Sequence, residues 1–200
     1  IKMEIIWVLI SFLSGSIPFA VVIAKTFKGI DSRKEGSKNP GTTNVARLCG
    51  FQYGLLTLVC DILKGTVPVF LSIWLFDKTD YEWLPSACAF AAFIGHIKSP
   101  FLGFHGGKGV ATGIGVLIPL AFPPLLAAVC LCVLVIALTG YVSAGALTLY
   151  TALPFCYYFF DSSRWIPLSL VMLAIVLWTH KSNMKRLLKG EEKSWRKSKN

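Results

Sequence analysis

Long apolar stretches alternate with short polar ones along the whole chain, and the apolar stretches approach the length of membrane helices. They fall near 5–23, 54–76, 84–97, 112–122, 123–139, 143–160 and 165–180. One helix needs ~20 such residues to cross the hydrocarbon layer. The pattern predicts an all-α fold, a polytopic transmembrane helical bundle of seven membrane helices. The pair on either side of Pro123-Pro124 reads as two thin helices or as one re-entrant hairpin. In both readings the chain returns to the side it left. The first stretch lacks a strongly basic leading region and a small-residue cleavage site, so it is read as a retained span.

Composition agrees. Of 200 residues, 54% are hydrophobic and only 15% charged, with a mean hydropathy of +0.64. A soluble domain of this length carries more charge. No repeat or linker divides the chain, so residues 1–200 are expected to form one integral-membrane domain, with a basic tail from about 184 to 200 on the anionic inner leaflet. Six cysteines lie mostly in apolar stretches and form no Cys-x-x-Cys pair or Cys/His cluster. Neither a disulfide framework nor a zinc site is indicated. No metal, cofactor or nucleic-acid partner is expected.

Charge then orients the bundle. With seven crossings, sixteen of the twenty Lys and Arg residues share one face, from Lys25 and Arg47 through Lys98 and Lys108 to Lys199. The opposite face holds Lys2, Lys78 and Arg164 with acidic Glu4, Asp77, Asp80, Glu82 and Asp161. The positive-inside rule makes the basic face cytoplasmic, places the N-terminus outside and leaves the C-terminus in the cytoplasm. Trp7, Trp74, Trp83 and Trp165 fall at the outer boundary and Trp178 near the inner one, as an aromatic belt requires. Lys64 remains within a span, three residues from Asp61. Charges there are costly and pair or face a polar cavity. The pair is expected to prop up a site floor, with a proton or ion path as the rival.

Two polar, glycine-rich runs interrupt the apolar pattern. The first is Gly36-Ser37-Lys38-Asn39-Pro40-Gly41-Thr42-Thr43-Asn44, followed by Arg47. Gly36 and Gly41 allow close backbone approach, and Ser37, Asn39, Thr42, Thr43 and Asn44 offer neutral donors. Thr42 or Thr43 is placed to cap the next helix, whose amides would meet an anion. Arg47 adds a cation that never titrates and binds phosphate through two hydrogens. The second run ends in Gly106-Gly107-Lys108-Gly109, with Thr112 as a further donor and His96 and His105 flanking it. It is not a nucleotide P-loop: position 102 is Leu and position 109 is Gly, where that motif needs Gly and Ser or Thr. The run fits a small phosphate ester. Ser143 begins a later span on the same face, and His180 and Asn183 share one helical face near the end of the chain.

These motifs resemble the bacterial glycerol-3-phosphate acyltransferases that use acyl-phosphate as donor, the membrane family called PlsY. The similarity runs from Gly15-Ser16-Ile17-Pro18 to Gly190-Glu191. Three blocks carry it: Gly36 to Arg47, Gly95 to Thr112, and His180-Lys181-Ser182-Asn183 with the following glutamates. Lys38 departs from it, standing where glycine is common, and so does Gly140, standing where arginine is common. The resemblance implies acyl transfer to the 1-hydroxyl of sn-glycerol 3-phosphate, giving 1-acylglycerol 3-phosphate (lysophosphatidic acid) and phosphate. It implies that Ser37 and Arg47 are catalytic, that Gly106, Gly107 and Lys108 bind glycerol phosphate, and that His180 and Asn183 position it. Glu191 and Glu192 would be structural. Also implied are membrane lipids as surroundings, the bacterial inner membrane as location, and a link to the soluble enzyme that supplies acyl-phosphate. The candidate set is therefore catalytic Ser37, Arg47, His96, His180 and Asn183, and substrate-binding Gly36, Asn39, Gly41, Thr42, Thr43, Asn44, Gly106, Gly107, Lys108, Thr112 and Ser143.

No His-x4-Asp motif, Ser-His-Asp grouping or Cys-His pair occurs, so an acyl-enzyme is not expected. Direct attack on an already activated donor is, with the donor phosphate, or else His96 or His180, as base. A membrane transporter of a phosphorylated metabolite is the rival class.

Overall fold

A computed structural model describes residues 2–76 and 80–195. Asp77, Lys78, Arg196, Lys197 and Lys199, to which the charge pattern assigns a face, lie outside them. Among the described residues every regular element is helical: α1 (Met3–Ser16), α2 (Phe19–Lys28), α3 (Thr42–Cys49), α4 (Phe51–Leu75), α5 (Leu84–Ile97), α6 (Val110–Leu117), α7 (Phe122–Thr139), α8 (Val142–Phe159), α9 (Ile166–Thr179) and α10 (Lys181–Leu188). They divide into two compact units, residues 1–120 and 121–200.

The helices have unequal lengths. Met3–Lys28, Phe51–Leu75 and Phe122–Thr139 are long and apolar enough to cross a membrane, and Ser163–Thr179 with Lys181–Leu188, bent by 64°, adds a fourth if the pair is one span. The eight residues of α6 rise only about 12 Å, against roughly 30 Å of hydrocarbon. The seven expected segments are all present as helix, but they are not all of spanning length.

In the first unit, two prolines decide where hydrogen-bonding groups become available. Pro18 ends α1 and starts α2, because it has no N–H to continue the ladder. Carbonyls freed at the break find new donors: Ser16 accepts from Ser99 Oγ at 2.6 Å and Ile17 from Lys64 Nζ at 2.7 Å. Pro68 lies inside α4 and cannot donate to the carbonyl four residues back, which is that of Lys64. Ser14 Oγ of α1 donates to it instead, at 2.8 Å.

Packing within this unit depends on missing side chains. A Cβ on Gly15 would strike the Ala92 backbone of α5, and one on Gly95 the Phe12 carbonyl of α1. Gly65 and Gly115 bring α4 and α6 together in the same way, where Thr66 Oγ1 also donates to the Gly115 carbonyl at 2.8 Å. Lipid offers no hydrophobic drive for helices to associate, so close approach through small residues replaces it. Leu9, Leu13, Leu63 and Phe70 are exposed, as side chains facing lipid are.

In the second unit α7 packs on α8, and Leu149, Tyr150, Leu153 and Tyr157 of α8 join Met172 and Val176 of α9 among the fully buried side chains. The tail after α10 turns back over the α7–α8 connection. There Trp195 N and Ser194 Oγ both donate to the Gly140 carbonyl, at 3.0 and 3.2 Å.

Candidate active site

The first polar run is shaped from within. Asn44, in α3, is almost fully buried. Its Oδ1 accepts from Ser37 N at 2.8 Å, and its Nδ2 donates to the carbonyls of Ser32 and Glu35 at 2.8 and 3.1 Å. The side chain read from sequence as a substrate donor is thus occupied with folding the loop. Gly36, at φ +63°, sits so close to Asn44 Oδ1 that a Cβ would collide with it. Lys38 also has positive φ, +59°. That conformation costs a non-glycine residue and accounts for glycine being common there among the proteins the motif resembles.

The cap of α3 differs from expectation. Gly41 holds the N-cap position in extended backbone with no side-chain cap, and Thr42 and Thr43 are the first helical residues. Neither threonine precedes the first turn, so neither can reach back as a cap. Thr42 Oγ1 is buried without a hydrogen-bond partner. An uncapped helix N-terminus beside an unclaimed hydroxyl suits an anion. Ser37 and Arg47 are exposed, and Asn39 is half-buried. Upstream, Asp31 is held well below the usual carboxylate range by its hydrogen bonds to Arg33, with burial opposing.

The second run folds back onto the end of α5. Gly106 N and Gly107 N donate to the carbonyls of Ile97 and His96, at 2.9 and 3.1 Å. A Cβ on Gly106 would collide with the His96 carbonyl, and one on Gly107 with His96 Nε2, so these glycines are needed for close approach. Gly109, at φ +89°, caps α6. Lys108 is half-buried between them. His96 is 7% exposed, and its Nδ1 lies 3.0 Å from Thr112 Oγ1 of α6. His105 is exposed, with Nδ1 2.6 Å from the nearby Gly103 carbonyl.

Both runs meet at one small cleft. Pro40 from the first run and Gly107 from the second line it, with His96, Ser99 and the Asp61/Lys64 pair of α4. A Cβ on Gly107 would come within 3.0 Å of the Pro40 carbonyl, which measures how closely the runs approach. Lys64 Nζ lies 2.7 Å from Asp61 Oδ1. Sequence reasoning had no way to include Ser99, since its role depends on a carbonyl 83 residues away that Pro18 sets free.

The remaining candidates lie in the second unit. Ser143 Oγ and Asn183 Nδ2 both donate to Glu192 Oε1, at 2.7 and 2.6 Å, and Arg186 Nε donates to Oε2 at 2.6 Å. Burial alone would raise the Glu192 pKa, but these three donors and the arginine charge outweigh it and hold the carboxyl low. His180 is buried where α9 bends into α10, with Nδ1 2.9 Å from the Val176 carbonyl. Glu192 is the residue that spacing could not find, because its partners stand 49, 9 and 6 residues away.

Comparison with known proteins gives a consistent result. A sequence model of the glycerol-3-phosphate acyltransferase family matches residues 5–190. A glycerol-3-phosphate acyltransferase of Desulfovibrio desulfuricans is 51% identical over 99% of this chain and 87% of its own length. One from Lawsonia intracellularis is 47% identical over 98% of this chain and 97% of its own. Among solved structures, the glycerol 3-phosphate form of PlsY, an integral membrane glycerol 3-phosphate acyltransferase, superposes with a TM-score of 0.91. It shares 32% identity and covers 98% of this chain and 96% of the other. Its lysophosphatidic acid form superposes with a TM-score of 0.89.

Proposed function

The chain belongs to the glycerol-3-phosphate acyltransferase family, and from that premise we propose that the cleft between the two glycine-bearing runs is where an acyl group passes from an acyl-phosphate to glycerol 3-phosphate. The chain is a multi-pass membrane acyltransferase with bacterial relatives. Its acceptor is glycerol 3-phosphate and its product the lysophosphatidic acid acylated at the 1-hydroxyl. The observation that carries the reading is the convergence of Pro40 and Gly107 on one cleft, since a two-anion reaction needs two cradles within reach of one reacting centre.

In this reading the first run takes the donor phosphate on the α3 N-terminus. Gly36, Asn39, Gly41, Thr42 and Thr43 supply approach and donors, Asn44 keeps the loop in shape, and Ser37 and Arg47 act on the reacting group. Gly106, Gly107, Lys108 and Thr112 receive the acceptor's phosphate. His180 and Asn183 keep the positioning role that the resemblance implies, Ser143 remains a substrate-binding candidate, and Glu192 fixes Ser143 and Asn183. The acceptor hydroxyl oxygen attacks the acyl carbonyl carbon, the bond from that carbon to the phosphate oxygen breaks, and inorganic phosphate leaves. The hydroxyl proton passes to the departing phosphate or to His96. An acyl-phosphate is already activated, so positioning and charge stabilisation are the protein's main contributions. The basic face and the cleft look into the cytoplasm from the inner membrane, where a soluble enzyme supplies the donor.

Purified protein offered acyl-phosphate, acyl-CoA and acyl-carrier protein side by side should form lysophosphatidic acid with acyl-phosphate, releasing one phosphate per ester. Ester formation from acyl-CoA alone would refute the donor assignment. His96→Ala separates the two proton routes. Near-normal turnover at saturating substrate supports substrate-assisted transfer, whereas a large fall in kcat with little change in KM identifies a histidine base.

A further inference from the structure

The cleft contains a pair of charges to which the reaction above gives no task. Asp61 and Lys64 stand one helical turn apart on α4, 1% and 6% exposed, and both line the cleft. Lys64 Nζ donates to the Ile17 carbonyl at 2.7 Å and lies 2.7 Å from Asp61 Oδ1. That second contact is a buried ion pair, and beyond it Oδ1 has no hydrogen-bond partner. His96 Nδ1 lies 3.9 Å from the same oxygen. Bracing alone does not call for charges here. Buried ion pairs are commonly replaced by apolar residues of similar size without loss of stability, because desolvation cancels much of the attraction.

The valences that remain beyond these contacts describe the ligand. Ionised carboxylate only accepts hydrogen bonds, and ammonium only donates them. A group that satisfies both at once must do each, as a hydroxyl does. A phosphate dianion has no proton to offer Asp61 and is repelled by it, so the pair suits a neutral hydroxyl. The same repulsion keeps the reacting acyl-phosphate away from Asp61, which leaves the hydroxyl that does not react. Resting on the acyltransferase reading above, we propose that Asp61 and Lys64 form the subsite for the middle hydroxyl of glycerol 3-phosphate. Asp61 accepts its hydrogen and Lys64 donates to its oxygen, and the pair thereby selects a glycerol phosphate over a simple alcohol phosphate.

The test compares two acceptors on the purified full-length protein: glycerol 3-phosphate, and propane-1,3-diol monophosphate, which keeps the attacking hydroxyl and lacks the middle one. The wild-type protein should favour glycerol 3-phosphate in kcat/KM by about ten- to a hundredfold, the range for a hydrogen bond to a charged group. In Asp61→Leu/Lys64→Met, which removes both charges and leaves no unpaired ion, that ratio should fall to within about threefold of one. Asp61→Asn, nearly isosteric, should lower the ratio in the same direction and serves if the double variant does not fold. A wild-type ratio near one overturns the inference, as does a variant that loses activity equally on both acceptors, the result expected of a mere prop. Failure of the wild-type protein to acylate either acceptor refutes the acyltransferase reading itself.

Discussion

The first unit's cleft and the second unit's polar cluster use similar residues to opposite effect. Around Glu192, three donors from Ser143, Asn183 and Arg186 converge on one carboxylate, and each of its oxygens is claimed. In the first unit, Thr42 Oγ1 is buried with no hydrogen-bond partner, Asp61 Oδ1 has none beyond its ion pair with Lys64, and the α3 N-terminus has no side-chain cap. A saturated network holds backbone in place, whereas unsatisfied buried groups mark where a ligand completes the bonding. Residue type does not separate the two, since each contains a carboxylate, a cation and a hydroxyl. The number of claimed valences does.

The sharpest way to break this contrast is at the first run. Arg47→Ala should lower kcat/KM by about a hundred- to a thousandfold, the scale on which charge-stabilising groups act, and Arg47→Lys should not restore it if phosphate is held through two parallel bonds. Steady-state kinetics with acyl-phosphate checks both, and rescue by lysine would show that charge alone suffices.

Next in size is Gly107→Ala. The added methyl group collides with His96 Nε2 and closes the gap to Pro40, so the cleft narrows from both sides. Overpacking of this kind costs about 1–3 kcal/mol. Activity should fall by about five- to a hundredfold, mainly through KM for glycerol 3-phosphate, with Tm lowered by a few degrees. Normal KM with a lowered Tm would make Gly107 a packing residue only.

The smallest effect belongs to the saturated cluster. Glu192 carries a lowered folded-state pKa, so its contribution is complete above its unfolded pKa and fades as pH falls towards the folded one. Thermal melts of the wild-type protein should therefore lose stability on acidification below about pH 4, and Glu192→Gln should flatten that loss while lowering Tm at neutral pH. An unchanged acid limb in the variant would remove Glu192 from the account.

The helices and the two runs were legible in the sequence because hydropathy and glycine content are local properties. Partnership was not. Asn44 looks like a ligand donor in any window around it, yet its amide is committed to Ser32, Glu35 and Ser37. The shortness of α6 was hidden for a different reason: residues 112–122 are apolar enough for a span, but the regular helix stops at Leu117, before Pro123 and Pro124 open the next. Tail and cleft alike depend on contacts between residues far apart in the chain, such as Ser143 with Glu192 and Ser99 with Ser16. No periodicity encodes these. Lys38 was conspicuous as a departure, and its positive φ supplies the cause.

The interruption at Pro18 ties catalysis to the thickness of the bilayer. The segment before it is apolar, with Leu9 and Leu13 exposed, and the carbonyls at the break are fastened to Ser99 and Lys64. Helices lean to fit the hydrocarbon depth around them. On the proposed reading of the cleft, a thinner or thicker host membrane would tug on it through that anchor, which would make lipid chain length a physical input to turnover even when it is not the chain being transferred.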